Sequence, residues 1–162
     1  EDDPDLGAAD LQARGFTRAD VLAGIATSGR TPYVLGAVRA AREMGAVTIG
    51  ISCTPDSDLA RAVEIPITPL PGPEIIAGST RLKAGTATKL VLNMLTTAAM
   101  IRRIIAQAAG VDYQAAAALL NAAGGDVRAA IVMARLGASR EEAERRLREA
   151  GGRVSRALED PA

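Results

Sequence analysis

The sequence predicts an α/β fold in which a parallel sheet flanked by helices is followed by a small all-α C-terminal bundle. Three observations predict it. Short apolar or β-branched runs alternate with helix-like patterns between Asp20 and Thr68, the signature of strand–helix–strand crossovers. Glycine or a Pro-containing breaker cluster closes each segment in that region. From about Ile104 the texture changes to short, Ala-rich amphipathic segments punctuated by Gly124-Gly125, Gly137 and Gly151-Gly152.

Leu6 to Gly15 predicts a short helix ending at glycine. Asp20 to Ala26, DVLAGIA, is a continuous apolar run of the kind that a parallel strand buried on both faces requires. After Thr27-Ser28-Gly29-Arg30-Thr31, Pro32 suits a first helical turn, and Val34, Leu35, Val38, Ala41 and Met44 recur at helical spacing before Gly45. Ala46 to Ser52, AVTIGIS, predicts a second strand. A breaker cluster, a short helix around Leu59 to Ala62 and a third strand at Glu64 to Thr68 follow. Right-handed crossovers then imply a parallel sheet covered on both sides. Beyond the turn PLPGPE, a long helix is expected from about Ser79 to Arg103, and its apolar residues on almost every side predict burial. Helical segments at Val111 to Ala123, Val127 to Leu136, Arg140 to Ala150 and Val154 to Leu158 complete the chain. Asp126 and Ser139 suit caps, the latter with Glu142 as a capping box. The domain boundary is placed near Arg102, giving 1–102 and 103–162.

Composition narrows the function. Lys plus Arg and Asp plus Glu number 19 each, so net charge makes no case for nucleic acid or an anionic membrane. The one Phe, two Tyr and absent Trp leave few platforms for stacking on bases. With no His and only Cys53, a zinc site and a His-dependent triad are excluded, and the single thiol agrees with a reducing compartment. Cys53 reads as a small residue at a strand end. The longest apolar-rich run, Leu90 to Ile101, is shorter than the roughly 20 residues that a bilayer requires. A soluble, cytoplasmic protein is expected. The acidic opening, without an initiator Met or a secretory pattern, reads as that of a fragment or a processed product.

Two stretches can carry chemistry. Ligands bind beyond the carboxyl ends of parallel strands, where helix N-termini also point. There TSGRT offers hydroxyls from Ser28 and Thr31, a close backbone approach at Gly29, a charge on Arg30 and the free N–H groups of a helix start, which suit a phosphate. An ordinary turn capped by Thr31, binding nothing, fits the same residues. Gly72 to Lys89, GPEIIAGSTRLKAGTATK, crowds Glu74, Ser79, Thr80, Arg81 and Lys83 into the entry of the long helix, as a solvated helix start also does. The spaced glycines of a dinucleotide site are absent. By composition alone, the acidic cluster Glu1-Asp2-Asp3-Pro4-Asp5 is a solvated turn.

Together, GIATSGRTPYV, TIGISCTP and GPEIIAGSTRLKAGTATKLVLNML resemble the sugar-isomerase-type (SIS) domain of the bacterial N-acetylmuramic acid 6-phosphate etherases, relatives of the glucokinase regulatory proteins. GGDVRAAIVMARLGASREEAERRL resembles the etherases' C-terminal, ubiquitin-associated-like bundle and favours the etherase branch. The resemblance implies a SIS-type sheet, here incomplete, in a homodimer with the site near the subunit interface. It implies a lyase that cleaves the D-lactyl ether of a phosphorylated amino sugar in cell-wall recycling, with neither metal nor organic cofactor. Glu1 falls on the family's second catalytic glutamate, the base that removes the C2 proton. Ser28, Gly29 and Thr31 match its phosphate loop, although Ala26 stands where many sugar isomerases carry Ser. Arg30, Glu74, Ser79 and Lys83 are assigned to supporting the pocket.

Two departures set limits. The family's first strand, its first phosphate loop and its first catalytic glutamate would lie before Glu1, and a further segment would lie near Arg102 to Ile104. The chain is therefore expected to be partial and, alone, inactive. A phosphosugar-binding regulatory module that needs TSGRT but no base at Glu1, and a structural remnant with a sealed loop, are the alternatives.

Overall fold

The computed structural model describes residues 1–159. Residues 160–162, the end of the expected helical domain, lie outside the described residues. The chain divides into two units, Glu1–Leu92 and Asn93–Ala162. The division falls inside a helix, ahead of the boundary expected at Arg102.

In the first unit, α1 (Pro4–Ala13) is capped by Asp3, whose Oδ1 accepts from the N–H groups of Asp5 and Leu6 at 2.9 and 3.2 Å. Strands β1 (Val21–Ile25), β2 (Val47–Ile51) and β3 (Ile65–Ile67) alternate with helices α2 (Pro32–Glu43) and α3 (Asp58–Ala62). The sheet is parallel in the order β1-β2-β3, with Gly24 opposite Gly50. That glycine pair lets the helices close on the sheet. A Cβ on Gly24 would meet Val34 and Val38 methyls at 3.0 Å, and one on Gly50 would meet Val63 at 2.8 Å. The core between sheet and helices is Ala26, Val38, Leu59 and Val63. Leu59 is fully buried, a contribution of about 1.5–3 kcal/mol.

Only one face of the sheet is covered in this way. Val21, Ile25, Val47 and Ile65 on the other face are exposed, against the expectation of cover on both sides. Strand order explains the difference. A sheet that grows in one direction through right-handed crossovers receives both helices on the same face.

Helix α4 spans Lys83–Ala109 and runs unbroken through Arg102, Arg103 and Ile104. It starts later than Ser79 and is not the buried helix that its composition predicts. Leu90, Met94, Met100 and Ile104 are 52, 63, 62 and 49% exposed, while Ala84, Val91 and Ile105 are buried.

The second unit contains α5 (Tyr113–Ala122), α6 (Val127–Leu136), α7 (Arg140–Glu149) and α8 (Val154–Ala157), packed around Ile105, Ala116, Ala129, Ala130, Val132 and Ala143. Asp112, Asp126 and Ser139 cap α5, α6 and α7. Ser139 accepts from the Glu142 N–H at 3.3 Å, but the Glu142 carboxylate turns to Arg145 and Arg146 instead of closing the box. Among the described residues, no single helix is long and apolar enough to cross a membrane.

Candidate functional site

The loop after β1 is held by its neighbours before any ligand is considered. The Thr27 carbonyl accepts from the Cys53 N–H at 2.9 Å and from the Thr54 hydroxyl at 3.2 Å, which ties the loops after β1 and β2 together. Gly29 adopts φ +67°. A Cβ there would lie 2.2 Å from Ser57 Oγ, while the Gly29 carbonyl accepts from the Leu59 N–H at 2.9 Å. Ser57 in turn shares a 3.0 Å hydrogen bond with the buried Ser52 hydroxyl. Gly29 is thus buried against Ser57, where its missing side chain serves the packing of the turn.

Ser28 stays exposed, its Oγ accepting from the Arg30 N–H at 3.3 Å. Thr31 begins α2 but makes no side-chain cap bond, so its hydroxyl is not spent on the helix. The N-terminal amides are less open than expected. Pro32 has none, and the Tyr33 N–H donates to the Glu1 carbonyl at 3.1 Å.

That bond belongs to a close α1–α2 contact. A Cβ on Gly7 would lie 2.1 Å from the Tyr33 carbonyl oxygen, and one on Gly36 would lie 1.9 Å from that of Pro4. The Tyr33 hydroxyl donates to Asp10 Oδ2 at 2.8 Å. Through this contact the acidic opening, unremarkable by composition, reaches the carboxyl end of β1.

Two cavities adjoin there. One, of about 450 Å³, is lined by Glu1, Ala26, Thr27, Ser28, Thr31 and Thr80 among others. The second, of about 410 Å³, shares Thr27, Ser28 and Thr80 with it and adds Cys53, Thr54, Leu70, Pro71 and Glu74. Both are within the usual size range of small-molecule sites. The geometry therefore brings Glu1, Ser28 and Thr31 together, and Glu74 joins Ser28 in the neighbouring cavity. Gly29, Arg30, Ser79 and Lys83 line neither. Thr27 and Thr80 stand at the wall common to both; Thr80 belongs to the stretch at the entry of the long helix that the sequence offered, whereas Thr27 was given no role of its own, and its place in the hydroxyl-dense string TSGRT is the signal that could have found it.

Glu74 works chiefly on α4. Its carboxylate accepts from the Lys83 and Ala84 N–H groups at 2.9 and 3.0 Å, and Lys83 Nζ donates to the Pro73 carbonyl at 3.0 Å. The amide of Ala84, then that of Lys83, holds the Glu74 carboxyl below its usual range, with the Lys83 charge assisting and burial opposing. Burial pushes the Cys53 thiol up, which leaves it protonated at neutral pH. Among the described residues, no three His, Cys, Asp or Glu side chains gather to hold a metal ion.

A hydroxyl-rich loop and a carboxylate at the carboxyl end of a parallel sheet define an α/β protein with its cleft at the strand ends. No protein-family model matches the chain, but curated relatives do. N-acetylmuramic acid 6-phosphate etherase 2 of Vibrio cholerae serotype O1 is 45% identical over 184 residues, covering 99% of this chain and 60% of that protein. The N-acetylmuramic acid 6-phosphate etherases of Serratia proteamaculans and Brucella anthropi are 43 and 44% identical, covering 98% of this chain and 61 and 59% of those proteins. Over nearly all of its length, the chain is a homologue of the N-acetylmuramic acid 6-phosphate etherases. It spans about 60% of the length of these relatives. The Vibrio match runs over 184 residues against 162 here, so within the matched span that relative carries residues that this chain lacks.

Proposed function

We propose that the chain is part of an N-acetylmuramic acid 6-phosphate etherase, a carbon–oxygen lyase that releases D-lactate and N-acetylglucosamine 6-phosphate in bacterial peptidoglycan recycling. The observation that carries this reading is the placement of Glu1, Ser28 and Thr31 in one cavity, in a chain homologous to proteins of that name. In the open-chain sugar, the C2 proton is acidified by the adjacent aldehyde. Glu1 takes it, the electron pair forms the C2–C3 double bond, and the C3–O bond breaks as lactate leaves with a proton from a general acid. Water then adds its hydroxyl to C3 and a proton to C2. Hydroxyls of Ser28 and Thr31 hold the 6-phosphate, so that the far end of the sugar fixes the register of C2 against the base. Proton transfers and water suffice for these steps, and the proposal includes no metal or organic cofactor.

The finer assignments belong to the same proposal. The first unit is part of a SIS-type domain and the second a ubiquitin-associated-like bundle in a cytoplasmic homodimer. The exposed apolar residues of α4, Leu90 and Met94 among them, support a surface that a second copy covers. The family's other catalytic glutamate corresponds to no residue of 1–162, so the unit that turns over is the longer polypeptide, and 1–162 alone binds the phosphosugar without converting it.

The test follows lactate release and deuterium uptake at C2 when the complete polypeptide converts N-acetylmuramic acid 6-phosphate in D₂O. Glu1→Gln is expected to lower both by about 10²-fold or more. Ser28→Ala is expected to weaken binding of phosphorylated sugars and leave unphosphorylated ones unaffected. Intact exchange and lactate release in Glu1→Gln would overturn the assignment.

A further inference from the structure

Tyr33 meets the acidic N-terminal segment at three separate points. Its N–H holds the Glu1 carbonyl at 3.1 Å. Its carbonyl lies against Gly7, where any Cβ would come within 2.1 Å. Its hydroxyl reaches Asp10 Oδ2 at 2.8 Å, from a half-buried ring to a half-buried carboxylate. These contacts run from Glu1, three residues ahead of α1, to Gly7 and Asp10 within it. The same tyrosine stands two residues after Thr31, which lines the cavity with Glu1 and Ser28. No other residue on α2 has a side-chain hydrogen bond to α1 among the described residues.

From this geometry we infer that Tyr33, anchored by Asp10, is a positioning residue that sets Glu1 against the phosphate loop. The inference rests on the reading of Glu1 as the C2 base. Glu1 lies ahead of α1 in a segment that is neither strand nor helix among the described residues, so no regular element holds it directly. Its placement therefore depends on whatever clamps that segment, and an error of about 1 Å at a reacting group costs about 10²-fold in rate. A phenylalanine would fill the same space without the bond to Asp10. Asp10 also holds the Tyr33 phenol above its ordinary pKa, chiefly through the hydrogen bond and with burial assisting. The hydroxyl accordingly remains a donor across the neutral range.

The kinetic test uses the complete polypeptide and N-acetylmuramic acid 6-phosphate. Tyr33→Phe and Asp10→Ala are each expected to lower kcat about tenfold, with KM changed less than about twofold, the pattern of a lost transition-state alignment. Combining them is expected to cost no more than either alone, because both remove one bond. Asp10→Asn keeps an acceptor oxygen and is expected to recover most of the rate. Full activity in Tyr33→Phe, or additive losses in the pair, overturns the positioning role. Those results are distinguishable from failure of the base assignment, in which Glu1→Gln itself remains active.

A second measurement does not depend on turnover. The 162-residue chain has two tyrosines and no tryptophan, so phenolate absorbance reads both hydroxyls directly. Asp10→Asn is expected to move the Tyr33 transition to lower pH, and an unchanged titration overturns the Tyr33–Asp10 contact.

Discussion

Glu74 is the residue whose position and chemistry diverge most. It stands in the string that resembles a pocket signature, yet its two oxygens satisfy the first amides of a helix that begins nine residues later. Because its folded pKa is depressed, it stabilises the fold above the ordinary carboxyl value, 4.5, and that stabilisation is lost as pH falls through the lowered value. Urea midpoints for wild type and Glu74→Gln are therefore expected to differ most near neutrality and to converge in acid, starting below the ordinary value. Parallel pH profiles for the two proteins would remove the cap from solution. The position of Ser28 and Thr31 between β1 and α2 was legible from sequence because the end of a strand and the start of a helix are local properties. Two other features were not. Ser57 fills the space above Gly29 from a different loop, and Glu74 reaches α4 across a turn, so neither contact leaves a short-range trace.

At the scale of elements, the α1–α2 contact sets two effects against each other. Replacing Gly36 by Ala inside α2 gains about 1 kcal/mol of helix propensity. The same methyl would sit 1.9 Å from the Pro4 carbonyl oxygen, and such overpacking against main chain costs about 1–3 kcal/mol. Gly36→Ala is thus expected to be destabilising on balance in thermal or urea unfolding, with faster hydrogen exchange at the Tyr33 amide as α1 lifts. A stabilised variant with a protected Tyr33 amide would mean that the helices do not meet as described. The three strands and their helices were readable because β-branched runs alternate with periodic ones, from Val21 through Ile67. Cover on one face follows from strand order, a long-range property that the runs do not encode. The start of α4 at Lys83 follows from Glu74, and Ser79 had no local reason to be excluded.

Among the described residues the molecule has two hydrophobic cores, one around Val38 and Leu59 and one around Ile105 and Val132. Both are built from small aliphatic side chains, as an Ala-rich composition with one Phe requires. Calorimetry is expected to resolve two unfolding events. Leu59→Ala should lower one and Ile105→Ala the other, each by about 2–5 kcal/mol of local stability. A single transition shifted equally by both would show one cooperative unit instead. The change of texture near Ile104 announced the second core, but the division at Leu92–Asn93 falls within a continuous helix and left no break in periodicity to read.

Gly7 and Gly36 have a consequence for which parts of the chain can drift. Where α1 meets α2 at these two points, main chain rests on main chain, so the spacing is gauged by peptide dimensions, which rotamers cannot alter. Elsewhere along α2, Val can become Ile or Ala can become Ser without changing that gauge. At two positions, however, a single added carbon pushes the first residue of the chain away from the loop that it faces. The sensitivity of the site to sequence change is therefore concentrated in the two residues that carry no side chain at all.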